Sequence, residues 1–100
     1  MLVAHVAFTV SPDARQTALD VLMSEVPVVR RMTGCLAFVP FADLTAPGGL
    51  GIVHEWETAE AFGRYVASPG FAAINAQLRP LMTGAPVSRR FEASLIEAVN

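Results

Sequence analysis

The sequence predicts an α+β domain in which helices cover one face of a four-stranded antiparallel sheet. Four short apolar segments rich in β-branched and aromatic residues have the character of strands, and three other segments carry apolar residues at helical spacing. These segments follow one another in the order β-α-β-β-α-(α)-β. The chain has 100 residues, which is the size of one domain.

The first strand and the first helix meet at a change of residue pattern near position 11. Residues 2–10 are apolar with β-branched and aromatic members, which favours a strand, and the Ser-Pro-Asp sequence of residues 11–13 follows. Ser is a common helix N-cap, Pro suits the first helical position, and Asp is favourable near the positive end of the helix dipole. Apolar residues then recur at helical spacing between Ala18 and Val26. We expect Pro27 to kink or restart this helix and Gly34 to form its C-cap.

A β-hairpin is predicted in the middle of the chain. Residues 35–41 have strand character, with Pro40 near the end, where an edge or a bulge is expected. Residues 43–49 contain a Pro-Gly-Gly sequence and form a turn or short loop. The apolar residues 50–56 form the third strand, which we expect to pair with the second.

Two helices and a last strand complete the predicted order. A helix is expected over residues 58–67, and another over residues 69–82 with a break near Pro80. After a loop at residues 83–86, residues 87–96 alternate like a strand. This order is the ferredoxin-like arrangement, also known as the split βαβ fold. No repeat or low-complexity segment interrupts the single domain.

The composition predicts that a second copy of the chain covers part of the surface. Hydrophobic residues make up 53% of the chain and charged residues 16%, whereas roughly 45–50% and about 25% are usual in soluble domains. A small domain buries a comparatively small fraction of its surface, and both faces of the first strand are largely apolar. We therefore expect a homodimer in which two sheets pack face to face, since twofold dimers are the commonest assemblies.

Charge and cysteine content argue against several classes of partner. Seven Arg and no Lys stand against nine Asp and Glu residues, which gives a net charge of −2 without a basic stripe, so no nucleic-acid partner is expected. Cys35 is the only Cys, which leaves no internal disulfide and no Cys-based metal cluster. The apolar N-terminal stretch is too short to span a bilayer and lacks the basic region of a signal peptide. We expect a cytoplasmic protein without a membrane partner.

Four motifs give the chain a resemblance to the antibiotic biosynthesis monooxygenase (ABM) superfamily. They are Thr33-Gly34-Cys35, the sequence HEWETAEAF at residues 54–62, Ser68-x-x-Phe71, and Arg90-Phe91-Glu92. The resemblance covers nearly the whole chain. The resemblance implies a dimeric α/β barrel of two ferredoxin-like protomers, with a pocket in each protomer between the sheet and the helices.

The resemblance also implies a chemistry for this pocket. The better-studied members of the superfamily oxidise phenolic or anthrone-like substrates to quinones with O2 and without a metal or flavin cofactor. We expect this reaction here, on a substrate of that kind or on a hydroquinone. The haem-degrading branch is not expected here, because the positions matching its functional Asn, Trp and iron-ligating His are occupied by His5, Tyr65 and Asn75. Two alternatives stay open on the same fold: a polyketide cyclase or isomerase, and a non-catalytic dimer that binds a small ligand.

Three residues are candidates for the catalytic role, namely His5, His54 and Trp56. A His has a pKa suited to removing a phenolic proton, so either His5 or His54 is a possible base. The alternative for each His is a structural role, as a hydrogen-bonded residue of the sheet. A Trp matching Trp56 is implicated in substrate oxidation by the resemblance, and its indole N–H needs a partner if it is buried. A substrate carbonyl is one such partner.

Four residues on the two later helices are candidates for binding the substrate: Phe62, Tyr65, Asn75 and Arg79. The two aromatic residues lie three apart and the two polar ones four apart, so each pair shares a helix face. Packing on the sheet and exposure to solvent are the structural alternatives. In the last strand, Arg89 and Arg90 alternate, so one of them points to the helix side, and the sequence leaves open which one.

Overall fold

The computed structural model describes all residues from 1 to 100 and confirms the predicted α+β architecture. Four strands form one antiparallel sheet in the order β2-β3-β1-β4: β1 (Leu2–Thr9), β2 (Cys35–Ala42), β3 (Gly49–Trp56) and β4 (Val87–Glu92). Three α-helices pack on one face of it: α1 (Arg15–Arg30), α2 (Ala59–Val66) and α3 (Pro69–Leu78). Short 3₁₀ turns at Pro12–Ala14 and Arg79–Leu81 flank α1 and α3. No helix is both long and apolar enough to cross a membrane.

The register of β1 decides which side chains reach the helices. Its partners across the sheet are β3 and β4, so that Ala4 lies opposite His54 on one side and Arg90 on the other. Successive side chains of a strand point to opposite faces. Ala4 and Phe8 are buried under the helices, whereas His5 is exposed on the other face.

The helix α1 runs through Pro27 as one helix and ends at Arg30, so the expected restart was wrong. Pro27 removes only the backbone hydrogen bond to the carbonyl of Met23, and Met23 lies on the exposed side of the helix, where water can take its place. Beyond the proline, Val29 is buried and holds the last turn on the sheet. The predicted N-cap at Ser11 makes no side-chain hydrogen bond, because the 3₁₀ turn comes before the helix.

The other two helices begin where the sequence predicts. The hydroxyl of Thr58 accepts a hydrogen bond from the backbone N–H of Ala61 at the start of α2. Ser68 does the same with the N–H of Phe71 at the start of α3. These caps satisfy N–H groups that have no partner within a helix. The break expected near Pro80 is present, since α3 ends at Leu78 and the proline lies in a 3₁₀ turn.

The last strand is shorter than predicted, because β4 ends at Glu92 instead of residue 96. Its partner β1 begins at Leu2, which lies opposite Glu92, so no strand remains for the later residues to pair with. The final backbone hydrogen bond of this ladder joins the N–H of Ala93 to the carbonyl of Met1. Residues 93–100 have no regular structure and leave three apolar side chains exposed: Leu95, Ile96 and Val99.

The face of the sheet opposite the helices is uncovered and largely apolar. Val39, Val87 and Phe91 are 47%, 58% and 39% exposed on this face. We call it the open face. Phe91 packs edge-on against His5 at 5.4 Å between ring centroids, and the guanidinium carbon of Arg89 lies 5.1 Å from the Phe91 ring centre. A large apolar surface of this kind is unusual on a monomer.

Candidate functional site

A cavity of about 180 Å³ lies between the sheet and the helices α2 and α3. Its apolar wall comes from both layers and includes Val6, Ile52, Phe62, Ile74, Leu78 and Met82. The polar side chains that line it are His54, Tyr65, Asn75, Arg79, Ser88 and Arg90. No Asp or Glu is among the lining residues. An apolar pocket with a few converging polar groups is the usual form of a small-molecule site.

His54 reaches the cavity wall because it lies on the helix-facing side of β3. Its side chain is only 2% exposed, and its imidazole ring is surrounded by aromatic rings, with Phe38 at 5.5 Å and Tyr65 at 5.8 Å between centroids. The indole Nε1–H of Trp56 donates a hydrogen bond to Nδ1 of His54 at 2.9 Å. Nε2, the other ring nitrogen, is buried and has no hydrogen-bond partner in the protein.

This hydrogen bond defines the protonation of the imidazole. An indole N–H can only donate, so Nδ1 must accept, and the neutral ring then carries its proton on Nε2. Burial, followed by the charge of Arg90 and a smaller effect of His5, lowers the pKa of His54 to about 4. At neutral pH the ring is uncharged and its free nitrogen is a donor. This state does not suit the predicted role of His54 as a base.

Trp56 lies behind His54 and outside the wall of the cavity. It is completely buried and stacks on Tyr65, with 5.3 Å between ring centroids and an interplanar angle of 21°. Its indole N–H has His54 as its partner, so the substrate carbonyl considered from the sequence is not needed to satisfy it. The structure therefore places Trp56 next to a lining residue and away from the cavity itself.

His5, the third predicted catalytic residue, is not brought to the cavity. It lies on the open face of the sheet, between Ala4 and Val6, whose side chains point to the helices. The period of two along a strand makes this separation unavoidable. The expectation that His5 lines the pocket was therefore wrong.

The four predicted binding residues all lie in the cavity wall. Phe62 and Tyr65 are buried, and burial, with smaller effects of Glu25 and Cys35, raises the pKa of Tyr65 to about 12. Its phenol is therefore protonated at neutral pH. The amide nitrogen of Asn75 donates to the carbonyl of Phe71 at 2.9 Å, and Arg79 is largely exposed.

Arg90 is the lining residue whose direction the sequence left open. It faces the helices, and its guanidinium carbon lies 4.9 Å from the centre of the Phe62 ring. Arg89 faces the open side with Val87 and Phe91. The apolar residues of β4 share the face of Arg89. Their alternation shows that Arg89 and Arg90 face opposite sides of the sheet. It does not show which side meets the helices, because both faces of the neighbouring strand β1 are apolar.

Two further observations concern metals and thiols. No group of three or more His, Cys, Asp and Glu side chains is close enough together to hold a metal ion. Burial raises the pKa of Cys35 above its usual value, despite opposing effects of the Ala37 backbone and Arg30, so its thiol is protonated at neutral pH.

Several known proteins are similar to this chain. One of them is a protein from Deinococcus radiodurans described as a candidate antibiotic biosynthesis monooxygenase. It is 26% identical, with a TM-score of 0.88, and the match covers 100% of this chain and 97% of that one. Rv0793 from Mycobacterium tuberculosis is 25% identical, with a TM-score of 0.83, and the match covers 99% of this chain and 100% of that one. A conserved protein from Methanosarcina mazei is 16% identical over 93% of this chain and 92% of that one, with a TM-score of 0.87, and shows the fold alone.

No protein of curated function matches the sequence significantly. The model of one protein family, described as antibiotic biosynthesis monooxygenase, matches residues 1–77. This range includes three strands, the helices α1 and α2, and most of α3. The chain therefore belongs to the antibiotic biosynthesis monooxygenase family.

Proposed function

We propose that this protein is a monooxygenase that uses O2 to oxidise a small phenolic substrate to a quinone in the cavity beneath α2 and α3. The observation that carries this proposal is an apolar cavity whose wall contains Arg90 on the sheet, Arg79 at the rim, and no carboxylate. Such a site favours an aromatic ring whose oxygen carries negative charge. The family description, antibiotic biosynthesis monooxygenase, supports the same reaction class.

The size of the cavity favours a single-ring substrate over the polycyclic anthrones considered from the sequence. The cavity has a volume of about 180 Å³, and an engineered cavity of about 150 Å³ is known to hold benzene. A phenol fits this volume with room for one or two small substituents. A three-ring anthrone would extend past the rim, where Arg79 and Pro86 are exposed.

The reaction is balanced as phenol plus O2 giving p-quinone plus water. The phenol first loses its proton to solvent, and the phenolate transfers one electron to O2. The resulting phenoxyl radical and superoxide combine to form a C–O bond at the para carbon, and the peroxide anion formed in this way takes up a proton. Loss of the proton from that carbon then breaks the O–O bond, leaves a carbonyl, and releases hydroxide, which takes up a proton to become water.

The protein would contribute binding and electrostatics to this reaction. The apolar wall holds the ring and excludes water, and the guanidinium of Arg90 stabilises the phenolate from which the electron leaves. The reaction uses neither metal nor flavin, as the resemblance implies. It also needs no histidine base, because a solvent-accessible rim provides a route for the proton.

The test is O2 consumption by purified protein with a panel of single-ring phenols, hydroquinones and anthrones, combined with identification of the products. Arg90→Gln should lower kcat/KM by about tenfold or more, since the hydrogen bonds and charge that favour an anion are lost. The matched control is Arg89→Gln, which removes the same charge one position earlier on the opposite face. Equal effects of the two variants would contradict a role of the cavity cation.

The same experiment separates the alternatives on this fold. Conversion of a polyketide substrate under argon as fast as in air would indicate the cyclase or isomerase. Tight binding of phenols without O2 uptake or product would indicate a ligand-binding protein. For the oxygenase, we expect product formation to stop under argon and one oxygen atom from labelled O2 to be present in the quinone.

We also propose that the protein functions as a homodimer through its open face. Val39, Val87 and Phe91 expose apolar surface there, and the apolar C-terminal residues extend from the neighbouring end of β4. Burying such surface against a second copy removes it from water. Each protomer keeps its own cavity on the other face of the sheet.

A further inference from the structure

We propose that Trp56 and His54 form a fixed hydrogen-bond donor whose free Nε2–H binds the phenolate oxygen of a single-ring ligand. This inference deepens the proposed function, on which it rests, because it concerns the same cavity. It gives the two residues different parts. His54 is the binding residue, and Trp56 is a positioning residue that acts through it.

The geometry of the pair selects one tautomer of His54. The Trp56 indole N–H points at Nδ1 at 2.9 Å, and two N–H groups cannot face each other across a hydrogen bond. Trp56 has no freedom to turn away, because it is fully buried, stacked on Tyr65 and in contact with Phe62 at 6.4 Å between centroids. A proton on Nδ1 is therefore excluded, and Nε2 keeps the only proton of the neutral ring.

The free nitrogen is the one buried polar side-chain atom without a partner. A buried N–H without an acceptor is costly, so a ligand that brings an acceptor to it gains more than it would at an exposed group. His54 belongs to the cavity wall and its Nε2 has almost no accessible surface, so we expect the acceptor on a ligand in the cavity that shifts the wall side chains covering this nitrogen.

The charges around the cavity select a negatively charged acceptor. Arg90 of β4 lies in the same wall, on the face of Phe62, and its charge reaches His54. Tyr65 of α2 is uncharged at neutral pH, and no carboxylate lines the cavity. On the phenolic ring of the proposed substrate, the group that fits a donor and a cation together is the phenolate oxygen.

A donor and a base at His54 differ in the number of protons exchanged on binding. If His54 donates, a phenolate binds with no change in protonation of the protein. If His54 acts as a base instead, the same phenolate is bound to an imidazolium, and one proton is taken up per ligand. These two outcomes are exclusive because Nε2 either carries a proton before the ligand arrives or receives one.

The probe is 4-nitrophenol, titrated calorimetrically at a pH where it is free phenolate, in two buffers of different ionisation enthalpy. We expect saturable binding with proton uptake near zero, and a bound absorption spectrum of the phenolate. Uptake of one proton, or no binding by the folded protein, would overturn the proposal. Binding of 4-nitrophenol needs no O2, so the donor role of His54 is tested even if the oxygenase reaction fails. Conversely, an active oxygenase that takes up one proton on binding would refute the donor role of His54 and leave the proposed reaction standing.

Three variants test the parts of the donor unit. His54→Gln keeps an N–H donor but cannot act as a base, and we expect it to bind 4-nitrophenol with close to wild-type affinity, whereas His54→Phe should lose about tenfold or more. Trp56→Phe frees Nδ1, and we expect weaker binding with proton uptake that rises above the wild-type value. His5→Gln, the matched control on the open face, should bind as the wild type. Equal binding by His54→Gln and His54→Phe would contradict a donor role.

Discussion

Among single residues, Gly34 gives the clearest link from backbone conformation to packing. It has a positive φ of 87°, and a Cβ at this position would lie 2.5 Å from the Cβ of Ala61. We expect Gly34→Ala to lower the free energy of unfolding by roughly 1–4 kcal/mol, from left-handed strain and overpacking against α2. The measurement is urea denaturation followed by circular dichroism.

Gly63 provides the matched control for this substitution. It lies in α2, and a Cβ added there would meet no atom within 4 Å, so Gly63→Ala should raise the free energy of unfolding by roughly 0.5–1 kcal/mol. The two variants make the same chemical change with opposite expected signs. A stabilising Gly34→Ala would show that the turn before β2 and its contact with α2 relax at little cost.

The depressed pKa of His54 predicts a dependence of stability on pH. Its ordinary pKa is 6.5 and its folded value is about 4, so between these values the unfolded state binds more protons than the folded one. Stability contributed by neutral His54 is therefore complete above about pH 6.5 and falls as the pH decreases to about 4, with a total loss of order 3 kcal/mol.

The matched variant for this prediction is His54→Gln, which cannot titrate. The difference in unfolding free energy between wild type and His54→Gln, measured from pH 8 to pH 4, isolates the contribution of His54 from everything that the two proteins share. We expect this difference to be constant above about pH 7 and to change steadily in favour of the variant below about pH 6.5. A flat difference over the whole range would mean that His54 titrates normally in the folded state.

At the residue level, helical spacing was enough to predict which side chains of α2 and α3 face the cavity. Phe62, Tyr65, Asn75 and Arg79 were chosen from helical spacing, and all four line the cavity. The prediction for His5 failed, because both faces of β1 are apolar and the pattern does not show which one meets the helices. The hydrogen bond from Trp56 to His54 joins residues that lie two apart on one strand face. It could not be predicted, because the side-chain rotamers decide whether such neighbours touch, and the sequence does not give the rotamers.

At the scale of elements, the N-cap of α2 positions part of the cavity wall. Thr58 satisfies the N–H of Ala61 at 3.1 Å, and the helix that follows carries Phe62 and Tyr65. We expect Thr58→Ala to cost about 1 kcal/mol of unfolding free energy and Thr58→Ser to retain most of the stability, because Ser offers the same acceptor. Thermal or urea denaturation of the three proteins measures this. Equal losses in both variants would point to the methyl group of Thr58 instead of its hydroxyl.

The boundaries of elements show what sequence patterns contain and what they omit. The start of α2 at its cap Thr58 is local, and it was predicted correctly. The cap of α3 at Ser68 is equally local but was not predicted. The passage of α1 through Pro27 depends on Val29 packing into the core, and the end of β4 depends on where its partner β1 begins. Both are tertiary effects, which override local propensity.

The hairpin between β2 and β3 also depends on a distant residue. The guanidinium of Arg15, in the first turn of α1, donates to the carbonyls of Asp43 and Ala46 at 3.1 and 2.9 Å. This contact ties the loop to the helix and thereby fixes the edge of the sheet that carries β2. Nothing in the local sequence pattern predicts a pairing between residues 28 or more positions apart.

In the whole molecule, the cavity and the open face lie on opposite sides of one sheet, so the proposed ligand binding and the proposed assembly use different sides. The cavity with His54 and Arg90 lies under the helices, and the surface with His5, Arg89 and Phe91 lies on the other side. Substitutions on the open face are therefore expected to change assembly before they change ligand binding. The two sides remain coupled through stability, because a single layer of strands carries both.

The proposed homodimer is tested by the size of the particle in solution. We expect light scattering to give a mass about twice the 10.7 kDa of the chain. Phe91→Glu places a charge in the open face and should shift the protein toward monomer, since burying an unpaired carboxylate is costly. Val28→Glu is the control, because Val28 is 55% exposed on α1, away from the sheet. A wild type that stays monomeric at all concentrations, or equal masses for the two variants, would contradict pairing through the open face.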